Sequence, residues 1–232
     1  MIGAMVIAGV AARGETVDGD TVRGTDFPFY IKEAEAGDSD AMRRAAVCYQ
    51  TGAGTDRDLR KAWEWYGKAA AAGNTEAQYA IGTLYRDGIG TKQNFTASAY
   101  WFRNAASNGH AKAMINIARQ FEEGKGVLAD NRIAAENYWR AAEKGEPEGA
   151  YKFACMLRDG RGVGCDLPRA LKYFMKAAAS DYKDSRMQVK ALEEKGVALE
   201  KSTKSTVKSG AIRPGNGKSA AKGGKTRKKS RR

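Results

Sequence analysis

The chain has 232 residues, with 40 Lys and Arg against 27 Asp and Glu and a formal charge of +13. At 42% hydrophobic and 29% charged it can bury a core, and no apolar run is long enough to span a bilayer. One histidine (His110) and three cysteines without a CxxC pair (Cys48, Cys155, Cys165) exclude a zinc finger, a His-rich metal site and a closed disulfide framework.

The charge is unevenly spread. Lys201–Arg232 holds 12 Lys or Arg and no acid, which leaves 28 bases against 27 acids in residues 1–200, a charge of +1. The chain therefore divides into an N-terminal segment (1–32), a nearly neutral body (33–199) and a basic tail (200–232).

In the N-terminal segment, Ile2–Ala12 is apolar and ends in small residues like the core of an export signal, but no Lys or Arg precedes it. The other reading is a strand or helix packed on the body. The stretch that follows, GETVDGDTVRGTDFP, is rich in turn formers and holds a short strand pair or nothing ordered. Its Asp18 and Asp20 lack the later ligands of a calcium loop.

The body is periodic. Gly37, Gly73, Gly109 and Gly145 are 36 residues apart without a slip, and so are Gly52, Gly88, Gly124 and Gly160. Each of the latter is followed by Gly54, Gly90, Gly126 or Gly162. Asp58, Asn94, Asp130 and Asp166 form a further column, and Ala69-Ala70, Ala105-Ala106, Ala141-Ala142 and Ala177-Ala178 another. In the first unit, Ala41–Tyr49 has helical periodicity, with Ala41, Ala45, Ala46, Cys48 and Tyr49 on the core face. The Gly-x-Gly ends that helix through left-handed backbone. The Asp/Asn column caps a second helix. That second helix carries an aromatic pair (Trp65-Tyr66, Trp101-Phe102, Tyr138-Trp139, Tyr173-Phe174), and its Ala-Ala pair lets neighbours approach closely. One such hairpin cannot bury its apolar face alone, so the units stack into an all-α solenoid.

These columns resemble the Sel-one-like repeat (SLR) family, relatives of the tetratricopeptide repeats. Gly73–Ala106 (GNTEAQYAIGTLYRDGIGTKQNFTASAYWFRNAA) matches the family pattern almost throughout, and the likeness covers about residues 33–182. The fourth unit departs at its boundary, where Asp181 stands for glycine. Tyr182–Leu199 keeps Gly196 but has Ala198 where the second glycine belongs, as suits a degenerate C-terminal cap. The resemblance implies a right-handed α-solenoid of helix hairpins that serves as a non-enzymatic interaction adaptor or scaffold without cofactor. In a bacterium it also implies regulators of envelope signalling, host-interaction factors, or immunity proteins that bind a cognate toxin. A cysteine-rich branch is associated with penicillin binding and carries a cysteine pair in every repeat. Here Cys155 and Cys165 are the only near pair, so that property does not carry over.

The partner is expected on the concave face, lined by first helices. The positions there that the core does not claim are Arg43, Val47 and Gln50 in the first unit; Tyr79, Thr83 and Arg86 in the second; Ile115, Arg119 and Glu122 in the third; Tyr151, Cys155 and Arg158 in the fourth. Of these, Arg43, Tyr79, Thr83, Arg86, Arg119, Tyr151 and Arg158 are interface-type residues and the candidate partner contacts. The alternative is an ordinary solvated helix face. Ser-x-x-Lys occurs at Ser180–Lys183, Ser205–Lys208 and Ser219–Lys222, and two phosphate-loop endings occur at Gly217-Lys218-Ser219 and Gly224-Lys225-Thr226. All lack companion motifs, so catalysis is not expected.

The tail, built of Lys, Ser, Gly, Thr and Ala, is expected to stay unfolded and to attract nucleic acid or another polyanion. Lys225, Arg227, Lys228, Lys229, Arg231 and Arg232 are the densest cations. A solubilising tail without a dedicated ligand, or a nuclear address in a eukaryote, are the other readings. A cytoplasmic, monomeric array is expected; a periplasmic or secreted one follows if residues 1–12 direct export.

Overall fold

The computed structural model describes residues 15–17 and 20–199. A short antiparallel hairpin, β1 (Glu15–Val17) and β2 (Asp20–Val22), pairs Glu15 with Val22 and Val17 with Asp20. A single 3-10 turn (Gly24–Asp26) leads into α1 (Phe27–Glu35). Four helical hairpins follow: α2 (Ser39–Thr51) with α3 (Leu59–Ala71), α4 (Thr75–Asp87) with α5 (Phe95–Ser107), α6 (Ala111–Glu123) with α7 (Asn131–Glu143), and α8 (Pro147–Asp159) with α9 (Leu167–Ala178). The last described helix is α10 (Ser185–Glu194). Each helix packs chiefly on the one before and the one after it, which makes the array an all-α solenoid. Among the described residues no helix is long and apolar enough to cross a membrane.

The helix limits follow from their caps. Asp58 and Asp130 each accept two backbone N–H groups at the start of a second helix, and Asn94 and Asp166 accept one each. Gly52, Gly88, Gly124 and Gly160 close the first helices with φ between 66° and 88°. Asp181, in the boundary position that glycine holds elsewhere, still takes the left-handed conformation at φ 52°. A short polar side chain tolerates that conformation better than a bulky one. The second glycine of each Gly-x-Gly has a different task. A methyl group at Gly126 would overlap the backbone of Phe95, and one at Gly162 the backbone of Asn131. These loops dock directly on the second helix of the preceding repeat.

The core lies between the two helix layers. It forms one cluster from Val22 to Leu84 and a second from Ala99 to Leu192. Phe102, Tyr138 and Phe174 are fully buried, each contributing about 1.5–3 kcal/mol by burial. The alanine pairs are nearly all buried too, which keeps the contact between hairpins thin. Ahead of the first hairpin, α1 packs on α2 and buries Tyr30 and Ala34, so the helical layer spans residue 33 instead of starting there.

Candidate functional site

The first helices α2, α4, α6 and α8 set the candidate face, and each predicted residue there is tied into the array. Arg43 is 7% exposed and bonds Asp40 through Nε (3.2 Å) and Nη2 (2.8 Å). Burial, then the neighbouring Arg44, lowers its pKa. Tyr79 is half-buried, stacked on His110 with ring centroids 4.3 Å apart and resting against Phe102. The Thr83 hydroxyl donates to the Tyr79 carbonyl at 3.2 Å. Arg86 grips Asp87 with Nε and Nη2 (both 2.7 Å) and donates to Asn116 Oδ1 in the next repeat (2.8 Å). Arg119 reaches Glu148 at 2.5 Å. The Tyr151 hydroxyl donates to Asp184 at 2.6 Å, and Arg158 joins Asp159 (2.7 Å) and Gln188 (2.8 Å).

Four of these contacts, Arg86–Asn116, Arg119–Glu148, Tyr151–Asp184 and Arg158–Gln188, form a ladder from α4 to α10, while the Arg43–Asp40 and Thr83–Tyr79 bonds lie within one helix. Arg86–Asn116 and Arg158–Gln188 each link residues 30 apart, and the ladder aligns the predicted side chains along the array instead of leaving them as free rotors. The partners Asn116, Glu148, Asp184 and Gln188 escaped the sequence reading. Their signal was the repeat register itself, since Asn116 and Gln188 occupy the same column two units apart. Val47 and Ile115, from the same face, are buried.

The electrostatics match this bonding. The Arg86 hydrogen bond holds the Asp87 carboxyl below its ordinary range, and Arg158 does the same for Asp159. The hydrogen bond to Asp184, then burial, pushes the Tyr151 hydroxyl up, so it stays a neutral donor. Burial raises the Cys155 thiol, which disfavours a reactive thiolate.

Of the chemistry-bearing side chains, His110 and Lys183 have structural partners. His110 is the N-cap of α6: its Nδ1 accepts the Ala113 N–H at 3.1 Å, which puts the proton of a neutral ring on Nε2, 3.1 Å from Glu76. Ser180 is exposed after α9, and the ammonium of Lys183 lies over the rings of Tyr151 (5.4 Å) and Tyr182 (5.3 Å). Among the described residues no group of three His, Cys, Asp or Glu could hold a metal ion. The apolar run Ile2–Ala12, Asp18, the two later Ser-x-x-Lys motifs, the phosphate-loop endings and the tail cations Lys225, Arg227, Lys228, Lys229, Arg231 and Arg232 lie outside the described residues.

Comparison with known proteins agrees with this geometry. The Sel1 repeat model matches residues 39–74, 75–110, 111–146 and 147–182. Among solved structures, a protective antigen present in uropathogenic Escherichia coli strains and displaying an SLR fold is 29% identical with a TM-score of 0.70. The match covers 75% of this chain and 37% of the antigen, so this chain spans little more than a third of that protein's length. A Sel1 repeat protein from Oxalobacter formigenes is 28% identical with a TM-score of 0.64, over 75% of this chain and 69% of that one. No curated protein matches the chain. With four consecutive units matched, each from one first-helix start to the next, the chain belongs to the Sel1 repeat family.

Proposed function

We propose that this protein is a non-enzymatic adaptor that holds a partner protein on its first-helix face, through Tyr79, Thr83, Arg86, Arg119, Tyr151 and Arg158, with Arg43 at the N-terminal end. The family is a protein-interaction repeat fold, and the ladder of inter-repeat hydrogen bonds is the observation that carries the reading. Side chains held in place before binding lose less conformational entropy when a partner arrives. Tyr and Arg are also the residues from which interface hot spots are built. A bacterial immunity or signalling partner is one version of this adaptor.

The test uses the full chain as bait in a lysate of its source organism, with captured proteins identified by mass spectrometry. Tyr79→Ala combined with Tyr151→Ala removes two rings from the face but also two packing contacts, on Phe102 and Phe174. The companion variant Arg86→Ala/Arg119→Ala leaves those rings in place. Both variants should reduce recovery of the same partner about tenfold, the scale of a hot-spot loss. Undiminished recovery by both sinks the proposal.

The basic tail supports a second activity. Twelve cations with no acid between Lys201 and Arg232 attract a polyanion without sequence preference. Lys225, Arg227, Lys228, Lys229, Arg231 and Arg232 would contribute most.

A further inference from the structure

The two helix layers differ in charge and in how that charge is satisfied. The first helices α2, α4, α6 and α8 carry seven Lys or Arg and seven Asp or Glu. Six of those cations are ion-paired: Arg43 and Arg44 to Asp40, Arg86 to Asp87, Arg119 to Glu148, Lys152 to Glu122 and Arg158 to Asp159. The second helices α3, α5, α7 and α9 carry nine Lys or Arg against three Glu. Only Arg60, Arg169 and Lys176 are paired there, Arg169 loosely at 3.8 Å. Among the described residues Lys61, Lys68, Arg103, Arg132, Arg140 and Lys172 make no ion pair. Lys61, Lys68 and Arg103 lie over the rings of Tyr49, Trp65 and Phe121, and Arg140 donates to the Ala106 carbonyl, so these cations are held in place without a neutralising acid. A near-neutral array thus hides a face on which cations outnumber acids.

On that face, a cleft of about 560 Å³ opens between α7 and α9. Its apolar walls include Ile133, Trp139, Phe153 and Val163, and Trp139 is 42% exposed. Arg132 and Arg169 line it as well. Two acids are also present: Asp130, whose carboxylate is committed to capping α7, and Glu136, which has no ion pair among the described residues. The volume exceeds what a single water-bridged crevice needs and lies in the range of ligand-binding clefts.

We infer that this second-helix face is a docking site, distinct from the first-helix face, for an acidic peptide segment that inserts one bulky apolar side chain between α7 and α9. The unpaired cations favour a negative partner, and long-range attraction of opposite charge speeds its encounter. The apolar walls demand a buried anchor, which aliphatic or aromatic side chains supply. A nucleic-acid strand fits less well. Its backbone carries a charge at every step and would pass Glu136 and Glu143, whereas a peptide places its carboxylates only where its sequence has them.

The test is fluorescence anisotropy with the full chain and a labelled peptide of Asp and Glu flanking a Leu-Phe pair. The tail gives every variant the same background attraction, so differences report the array. Arg132→Glu/Arg169→Glu and, separately, Trp139→Ala should each weaken binding about tenfold. Replacing Leu-Phe by Ala-Ala in the peptide should do the same. Glu136→Gln should tighten binding, a gain that damage to the fold does not produce. All four side chains are exposed, so the helical melt should move little. Affinities within twofold of the parent for both weakening variants overturn the proposal. So does an oligothymidylate strand whose binding falls in those variants while the peptide's does not.

Discussion

At the residue scale, Glu122 is the carboxylate on which the last two hairpins converge. It accepts from the Tyr138 hydroxyl at 3.0 Å and from Arg161 Nη1 at 2.8 Å, and Lys152 Nζ lies 3.7 Å away. Burial alone would raise its pKa, but the Arg161 bond, the Lys152 charge and the Tyr138 hydroxyl together hold it below the ordinary range. A depressed carboxylate stabilises the fold above its unfolded pKa, about 4.3. That contribution is lost as pH falls from there through the folded value. Glu122→Gln leaves Lys152 without its anion and Arg161 with only Asp159 at 3.8 Å, and should cost about 1.5–3 kcal/mol at neutral pH. It should also narrow the difference between melting temperatures at pH 7 and pH 3.5, because part of the acid-labile stability is already gone. Thermal melts by circular dichroism at both pH values decide it. An undiminished difference in the variant means that Glu122 is not one of the groups that acid titrates.

At the element scale, the two glycines of each Gly-x-Gly look alike in sequence and in backbone, with φ 68° at Gly124 and 74° at Gly126. Their surroundings differ. A methyl at Gly124 would meet the Ala129 side chain at an ordinary 3.4 Å, while one at Gly126 would overlap the backbone where α5 begins. Both substitutions carry the cost of left-handed backbone, about 1 kcal/mol. Only Gly126→Ala must also push two repeats apart, and it should destabilise by at least about 2 kcal/mol more than Gly124→Ala in urea unfolding. Equal losses would show that this loop docks more softly than its geometry implies.

This pair also shows what was legible in the sequence. The helix limits, caps and core columns could be read because glycine, Asp/Asn and small or aromatic residues answer to local backbone rules repeated at a fixed period. The start of the helical layer was harder. Tyr30 lies in register with Tyr66, and Ala34 with Ala70, but the glycine pair that marks a unit falls at Thr16 and Asp18, so α1 lacked its signature. The ladder on the first-helix face was hidden for another reason. Arg86 meets Asn116 only through the stagger of neighbouring helices, which no single helix period encodes. The cationic second-helix face could have been found by counting charge layer by layer, but the sum over the body averages it against a balanced layer.

At the scale of the whole molecule, a total of +13 has two sources that respond differently to salt and to truncation. The tail carries twelve cations in 32 residues, while the array's surplus is confined to one helix layer and interrupted by Glu64, Glu136 and Glu143. Duplex DNA neutralises many closely spaced cations at once and releases counterions in proportion, so log affinity falls with log salt at about 0.9 per phosphate contact. If the tail provides those contacts, the full chain should bind a generic duplex at low salt with a steep salt dependence. The 1–200 truncation, whose core closes between Val22 and Leu192, should then lose that binding while keeping its helical melt. The same truncation should keep its hold on the Leu-Phe acidic peptide, weakened only by the loss of the tail's background attraction, because that site belongs to α7 and α9. Equal duplex retention by full-length and truncated protein at low salt would move the polyanion site from the tail to the array. A shallow salt slope for the full chain would leave too few phosphate contacts for a tail of twelve cations. Each result is read by titrating the two proteins against one labelled duplex over a range of salt.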